Sequence, residues 1–302
     1  MVHYFNDTDF FNYHVDVLCI GFFDGMHKGH VYLINEGKKL GKTTGILSFD
    51  GYLKSKILKK KTQQLTSLKD RLELIDEIGL NETFIIPFTD EIMNMSKDEF
   101  IQKVLVNLKP NTICIGSDFT FGKYGEGNVD YLKKHFNVHV VDYLNEDNKK
   151  ISSRDIISLI NEGNIEKANS LLGRYYKING KVVHGLSNGK KYLLPTANLK
   201  LDFPYCLPKN GVYATKVHIN NKAYFGMTNI GIHPSIDELN NVSIETNIFG
   251  FDSDCYDSDM SLEFLFFVRD EKKYNSLNEL KEELEKNKVQ IKSIISEKGI
   301  VL

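Results

Sequence analysis

The sequence predicts two domains of different class, a doubly wound α/β domain followed by an antiparallel β-barrel with a C-terminal helix. The chain has 302 residues, enough for about two hydrophobic cores. In the first half, short apolar runs alternate with amphipathic segments, which is typical of a parallel sheet with right-handed crossovers. After Gly173 the pattern changes to strands separated by turn residues, which favours an antiparallel barrel.

The elements of the first domain follow from this alternation. Apolar runs predict strands over 15–21, 44–49, 83–86, 112–116 and 138–141. Helical spacing of apolar residues predicts helices over 30–40, 68–78, 96–108, 129–135 and 156–172. The last of these helices closes the domain, so we place the domain boundary after Leu172 and expect domains over 1–172 and 173–302.

The second domain is predicted from short strands and their turns. Strands are expected over 182–183, 213–219, 223–227 and 261–268, and a charged helix over 276–293. Asn220 and Asn221 lie between two of these strands and are typical of a tight hairpin turn. Such strands predict a barrel, with the terminal helix packed outside it.

Charge and composition exclude several classes of protein. The chain carries 38 Lys and Arg against 40 Asp and Glu, and only four of the basic residues are arginines. A net charge of −2 gives no global attraction for nucleic acid or an acidic membrane. The four cysteines are scattered, which argues against a zinc site or a disulfide framework. No run reaches the ~18 apolar residues of a membrane helix, so we expect a soluble, cytoplasmic protein.

The strongest local motif directly follows the first predicted strand and opens the first predicted helix. It reads Gly21-Phe22-Phe23-Asp24-Gly25-Met26-His27-Lys28-Gly29-His30. Ligands of α/β domains bind at the carboxyl ends of strands, and a helix N-terminus offers N–H donors to phosphate. His27 and His30 are three residues apart, so both imidazoles can stabilise charge that develops on one phosphorus atom.

This motif resembles the signature of the H-x-G-H nucleotidylyltransferases. Its longer form, G-x-F-D-G-x-H-x-G-H, is similar to that of the bacterial bifunctional riboflavin kinase/FAD synthetase family, and further similarities cover nearly the whole chain. The resemblance implies a Rossmann-like FMN adenylyltransferase domain in which His27 and His30 are catalytic. It also implies ATP-binding residues in this motif, namely Gly21, Phe23, Asp24, Gly25 and Gly29. The segment Ile115–Gly122 resembles the family's D/N-F-x-F-G motif, which implies flavin binding by Asp118, Phe119 and Phe121.

The second half resembles the riboflavin kinase module of the same family. Phosphoryl transfer to an alcohol needs a metal held by oxygen ligands, donors around the phosphates and a base for the hydroxyl proton. Pro195-Thr196-Ala197-Asn198 offers Thr196 and Asn198 as ligands of Mg²⁺ and ATP, and Gly185 lies in a loop that can approach phosphate. Glu245 is the candidate base. Arg269 is expected to reach the flavin.

The most serious of several departures from the family pattern lies in the segment before the helix predicted over 156–172. The family holds ATP phosphates with two serines and a threonine, followed by two arginines, at a helix N-terminus. Here the segment reads Ser152-Ser153-Arg154-Asp155-Ile156-Ile157, with Ile157 at the position of the second arginine and Asp155 adding negative charge. Ser152, Ser153 and Arg154 remain the expected ATP ligands, because one guanidinium can hold a phosphate from several backbone positions.

The prediction is therefore an enzyme of flavin cofactor synthesis. It would phosphorylate riboflavin to FMN with Mg²⁺ and ATP, and then adenylylate FMN to FAD with release of pyrophosphate. Its partners would be these small molecules, without nucleic acid or membrane, and homo-oligomerisation stays open. Two alternatives remain: a riboflavin kinase with a degraded first site, and a flavin- or RNA-binding regulator on an inactive enzyme frame. The intact His27, His30 and Glu245 weigh against the regulator.

Overall fold

The computed structural model describes residues 1–6, 10–51, 63–184, 195–232 and 242–302. The chain forms two compact units, Met1–Ser153 and Arg154–Leu302. The predicted glycine loop that contains Gly185 lies outside the described residues. Within the described ranges, none of the helices combines the length and apolar character that crossing a bilayer requires.

The first unit is built on a six-stranded parallel sheet, as the alternating pattern predicts. Its strands in spatial order are β1, β4, β3, β2, β5 and β8. Their bounds are β1 Val2–Tyr4, β2 Val17–Ile20, β3 Thr44–Asp50, β4 Glu82–Pro87, β5 Thr112–Gly116 and β8 Val138–Val141. Two short pairs of antiparallel strands lie outside this sheet. They are β6 Thr120–Phe121 with β7 Gly127–Asn128, and β9 Asn145–Glu146 with β10 Lys149–Lys150. The parallel sheet is buried on both faces, because β2 and most of β3, β4 and β5 are inaccessible to solvent.

Helices connect the parallel strands. They are α1 Lys28–Lys38, α2 Leu68–Ile78, α3 Asp90–Asn94, α4 Lys97–Phe100, α5 Val106–Leu108 and α6 Val129–Leu132, with a π-helical turn at Ile101–Leu105 between α4 and α5. Helix α2 has the predicted bounds, because capping residues mark both of its ends. Ser67 and Asp70 form a capping box at its start, and Gly79 ends it with φ 71°.

The order of the strands locates the expected ligand crevice of this unit. From β2 the chain moves outward through β3 and β4, and it later returns to the other side of β2 with β5 and β8. In open α/β sheets, ligands bind at the carboxyl ends of the two strands where this direction reverses. Those strands are β2, which leads into the His27 motif, and β5, which leads into the Asp118 segment.

The second unit is a closed antiparallel barrel in the order β11, β12, β15, β14, β13 and β16. The bounds of its strands are β11 Tyr176–Val183, β12 Ala197–Leu201, β13 Gly211–Ile219, β14 Lys222–Ile232, β15 Val242–Ile248 and β16 Asp259–Arg269. Asn220 and Asn221 turn β13 into β14 with φ 50° and 58°, as the predicted hairpin requires. The C-terminal helix, here called α9, spans Leu277–Glu297, and its Ile291 and Ile295 form one hydrophobic cluster with the barrel residues Val212 and Phe266.

Two helices stand where the sequence predicts one helix over 156–172. They are α7 Ser153–Asn161 and α8 Ile165–Leu172. Gly163, with φ 80°, ends the first helix, and its N–H donates to the carbonyl of Ile160. Helix α8 belongs to the second unit, where the side-chain amide of Asn169 donates to the carbonyl of Phe264 in β16.

A chain of hydroxyl groups crosses the barrel interior. Thr215, Thr228 and Thr246 lie on the neighbouring strands β13, β14 and β15 and are fully buried. Their Oγ1 atoms are linked in sequence at 2.9 Å and 2.9 Å. Because these three side chains point inward, the residues that alternate with them point to the outer face of the barrel.

Candidate active sites

The loop after β2 is wound tightly before α1 begins. Phe23, Gly25 and Met26 have φ of 58°, 77° and 37°. A Cβ built at Gly25 would lie 2.5 Å from Cδ1 of Leu65, so only glycine fits this position. Phe23 is buried and stands edge-on to the ring of His30, with 5.3 Å between centroids. The predicted glycines and Phe23 therefore shape the loop that carries the two histidines.

The structure brings His27 and His30 together at the N-terminus of α1. Their rings stack with 3.6 Å between centroids and an interplanar angle of 18°. His27 is the N-cap residue, and its Nδ1 accepts the backbone N–H of His30 at 3.3 Å. When this imidazole is neutral, its proton is therefore on Nε2, which is then a donor. A Cβ at Gly29 would lie 3.2 Å from the His27 ring, so a glycine makes room for it.

Asp24 holds a neighbouring segment in place. Its carboxylate is buried and accepts the backbone N–H groups of Leu65 and Thr66 and the hydroxyl of Thr66. Burial raises the pKa of this carboxyl group, and these hydrogen bonds act in the opposite direction. The hydroxyl of Thr66 in turn accepts the N–H of Gly25 at 2.9 Å. The expected contact of Asp24 with ATP stays a prediction.

The serine segment meets the same loop. The hydroxyl of Ser153 donates to the carbonyl of Asp24 at 2.9 Å, and Ser152 is half-buried beside it. Arg154 is exposed and begins the second unit. Ser153 is thus tied to the His27 motif, and the predicted phosphate contacts of Ser152, Ser153 and Arg154 remain predictions.

The predicted flavin segment follows β5, on the other side of the expected crevice. Phe119 and Phe121 have nearly parallel rings with 5.9 Å between centroids, and Phe121 also lies against Phe100. Asp118 is exposed and pairs with Lys150. The Lys150 ammonium also lies 3.7 Å from the centroid of the Tyr143 ring. Lys150 and Tyr143 were missed by the sequence analysis, because neither stands in a recognisable motif.

Arg71 is a second feature that the sequence does not reveal. It is an arginine on α2 with 2% of its surface exposed, and it lies among the largest fully buried side chains. Its guanidinium donates to the carbonyls of Phe22 and Phe49, at 2.7 Å and 2.9 Å. Its only sequence signal is the rarity of arginine in a lysine-rich chain.

In the second unit, strand register brings the kinase candidates together. Asn198 on β12 pairs with Glu245 on β15, and Glu245 pairs with Asn229 on β14. Residues directly opposite each other share a face of the sheet, so these three side chains form one row. The row lies on the outer face, because Thr246 and Thr228 beside it point into the barrel.

Local contacts orient the members of this row. The hydroxyl of Ser243 donates to Oε1 of Glu245 at 2.9 Å. The side-chain amide of Asn247 donates to the carbonyl of Pro195 at 2.8 Å, which holds the Pro195–Thr196 segment against β15. Thr196 is exposed, immediately before Ala197 begins β12. Thr196 and Asn198 therefore present neutral oxygen atoms near the Glu245 carboxylate.

Arg269 ends β16 and contacts the terminal helix. Its Nε donates to Oδ1 of the buried Asn287 at 2.7 Å, and it lies 3.7 Å from a carboxylate oxygen of Glu283. The expected contact with flavin stays a prediction. In the described ranges, no group of three or more His, Cys, Asp or Glu side chains is arranged to hold a metal ion. The oxygen donors of Thr196 and Asn198 suit Mg²⁺ that is bound mainly through ATP phosphates.

Comparison with known proteins decides the family. A family model described as FAD synthetase matches residues 12–155, and one described as riboflavin kinase matches residues 172–295. The bifunctional riboflavin kinase/FMN adenylyltransferase of Bacillus subtilis is 34% identical over 285 residues, covering 90% of each chain. The chain belongs to the bifunctional riboflavin kinase/FMN adenylyltransferase family.

A second curated relative and one solved structure are also similar to this chain. The enzyme of the same name from Listeria monocytogenes is 34% identical over 281 residues, with 90% of each chain covered. A crystal structure described as a macrolide-efflux protein from Streptococcus pneumoniae superposes with a TM-score of 0.85 at 27% identity, over 92% of this chain and 94% of that one. Both domains of a bifunctional riboflavin kinase/FMN adenylyltransferase are present, so the predicted fold class and pair of transferases are confirmed, and the kinase-only alternative is disfavoured.

Replacing Gly25 by alanine tests how far the adenylyltransferase loop depends on glycine. Gly79 is a matched control, because it has a similar φ of 71° but nothing within 4 Å of a built Cβ. We expect Gly79→Ala to cost about 1–2 kcal/mol from backbone strain alone. Gly25→Ala should cost about 1–3 kcal/mol more, since its methyl group overlaps Leu65. Urea unfolding followed by amide exchange in residues 1–153 measures both; equal losses would contradict the steric argument.

Proposed function

We propose that the two units catalyse consecutive steps of flavin cofactor synthesis. The second unit transfers the γ-phosphate of ATP to the 5′-hydroxyl of riboflavin, giving FMN and ADP. The first unit transfers AMP from a second ATP to the phosphate of FMN, giving FAD and pyrophosphate. The family relationship supports both reactions, and the paired imidazoles at the start of α1 carry the argument for the second step.

In the adenylyl transfer, a phosphate oxygen of FMN attacks the α-phosphorus of ATP and the bond to pyrophosphate breaks. Negative charge grows on the α-phosphate oxygens as the new bond forms. The N–H groups at the start of α1 and Nε2–H of His27 are donors for this charge, and His30 stacks beside them. The loop after β5, with Phe119 and Phe121, is the proposed place of the flavin ring.

In the phosphoryl transfer, Glu245 accepts the proton of the riboflavin 5′-hydroxyl while that oxygen attacks the γ-phosphorus. The hydroxyl of Ser243 donates to Oε1 of Glu245, which orients the carboxylate for this role. Thr196 and Asn198 would hold Mg²⁺ and ATP, and Gly185 would lie at the phosphates. Bound Mg²⁺ would neutralise charge on the transferred phosphate. We propose a cytoplasmic location, which supplies ATP.

The test is a product assay with purified protein, riboflavin, ATP and Mg²⁺. Chromatography should separate FMN first and FAD later, and a coupled assay should detect one pyrophosphate for each FAD. Omitting Mg²⁺ should stop both steps. Accumulation of FMN without FAD or pyrophosphate would mean that the first site is inactive.

A further inference from the structure

We infer that Arg71 is a positioning residue for adenylyl transfer, which fixes the His27 loop against the end of β3. The argument begins with the two parallel strands that separate at this point. The N–H of Gly21 donates to the carbonyl of Leu47 at 3.1 Å, as the last backbone bond from β2 to β3. Beyond it, β3 continues to Asp50 beside β4, whereas the chain after β2 turns into the His27 loop.

Beyond Gly21, the side chain of Arg71 connects the loop to β3 in place of backbone hydrogen bonds. Its Nη1 donates to the carbonyl of Phe22 in the loop, and its Nη2 donates to the carbonyl of Phe49 in β3. Ser48 strengthens this bridge, because its hydroxyl donates to the same Phe22 carbonyl at 3.1 Å and accepts from Nη1 at 3.2 Å. The planar fork of a guanidinium can serve two carbonyls at once, which a lysine ammonium does less well.

The position of Arg71 indicates that it acts through the loop and not on the nucleotide. It contacts the loop from the side of β3, whereas the expected crevice lies between β2 and β5. Its guanidinium is also covered by the Phe22 ring, 4.6 Å from the ring centroid. Arg71 therefore fixes where His27 begins α1 without lying among the reacting atoms.

Burying this cation is costly, which argues that it does more than stabilise the fold. Among the described residues, its buried Nε finds no hydrogen-bond acceptor. Burial lowers the pKa of Arg71, and the carboxylates of Asp24, Asp50 and Asp70 oppose that shift. Apolar side chains often replace buried ions without loss of stability. A bridge between two carbonyls beside the catalytic loop accounts for an arginine at this buried position.

The test uses Arg71→Lys and Ser48→Ala in the full-length protein. Adenylylation of FMN is followed in single turnover with enzyme in excess, where the rate constant reports the site. The folded fraction of each variant is measured separately by circular dichroism. We expect Arg71→Lys to lower the rate constant about 10- to 100-fold, since small displacements of catalytic groups have effects of this size. Ser48→Ala removes one of two donors to Phe22 and should lower it less.

Riboflavin phosphorylation by the same molecules is the internal control and should be unchanged. The inference rests on the proposed adenylyl-transfer site, so His27→Asn is assayed in parallel to test that site separately. An unchanged rate constant in both variants, with or without a lower folded fraction, would overturn the inference and make Arg71 purely structural. If Arg71→Lys does not fold, a wild-type rate constant in Ser48→Ala overturns it, and a lowered one supports it.

Discussion

Replacing Glu245 by glutamine should lower the rate of riboflavin phosphorylation about 100- to 10,000-fold, the usual contribution of a general base. Glutamine has the same shape as glutamate, and its side-chain oxygen can still accept the hydroxyl of Ser243. It cannot take the proton of the ribityl hydroxyl, so the loss should appear in kcat more than in the KM for riboflavin. Measuring FMN formation at saturating Mg²⁺ and ATP gives this comparison.

A matched substitution on the same barrel controls for changed charge. Glu263 on β16 pairs with His218 and lies outside the row of Asn198, Glu245 and Asn229. Glu263→Gln should leave phosphorylation unchanged, and both variants should still adenylylate FMN that is supplied to them. Wild-type FMN formation by Glu245→Gln would show that another group removes the proton.

The fold could be predicted from the sequence where the spacing of apolar residues and the residues that cap an element indicate the same helix or strand. Helix α2 is an example, with a capping box at Ser67 and a terminal Gly79. Strands β12 and β15 were not predicted, although Ala197–Leu201 alternates apolar and polar residues as a strand with one buried face does. Both strands are short, and their residues were interpreted only as motif residues. In the barrel, the hydroxyl of Thr246 pairs with that of Thr228 on the neighbouring strand β14, and local sequence patterns do not reveal such a partner.

The candidate site residues likewise fall into two groups, those that a sequence motif identifies and those that only the fold identifies. His27, Asp24, Asn198 and Glu245 lie in motifs, so sequence reasoning selected them. Arg71 has no motif, and its partners Phe22 and Phe49 are brought near it only by the parallel sheet. Ser243 and Asn229 likewise could be identified only from the strand register, because alternation and cross-strand pairing place them beside Glu245.

The second large effect is expected at His27, where the control must separate catalysis from helix capping. His27 caps α1 by accepting the N–H of His30, so an alanine substitution would remove both the cap and the imidazole. Asparagine is a good N-cap residue and can accept the same N–H. His27→Asn therefore keeps the helix start and removes the imidazole, with its Nε2–H and its stacking on His30. His135, exposed in the same unit, offers the same substitution away from the site.

We expect His27→Asn to lower the single-turnover rate of FAD formation about 100- to 1,000-fold, as for loss of one donor to a developing oxyanion. The variant should remain fully folded by circular dichroism, because the capping bond survives, so the loss should be in the rate constant alone. His135→Asn should retain the wild-type rate, and both variants should still phosphorylate riboflavin. A wild-type rate in His27→Asn would place adenylyl transfer elsewhere. A reduced rate in a fully folded variant would assign the stabilisation of the α-phosphate to the imidazole itself, because helix capping is the same in both proteins.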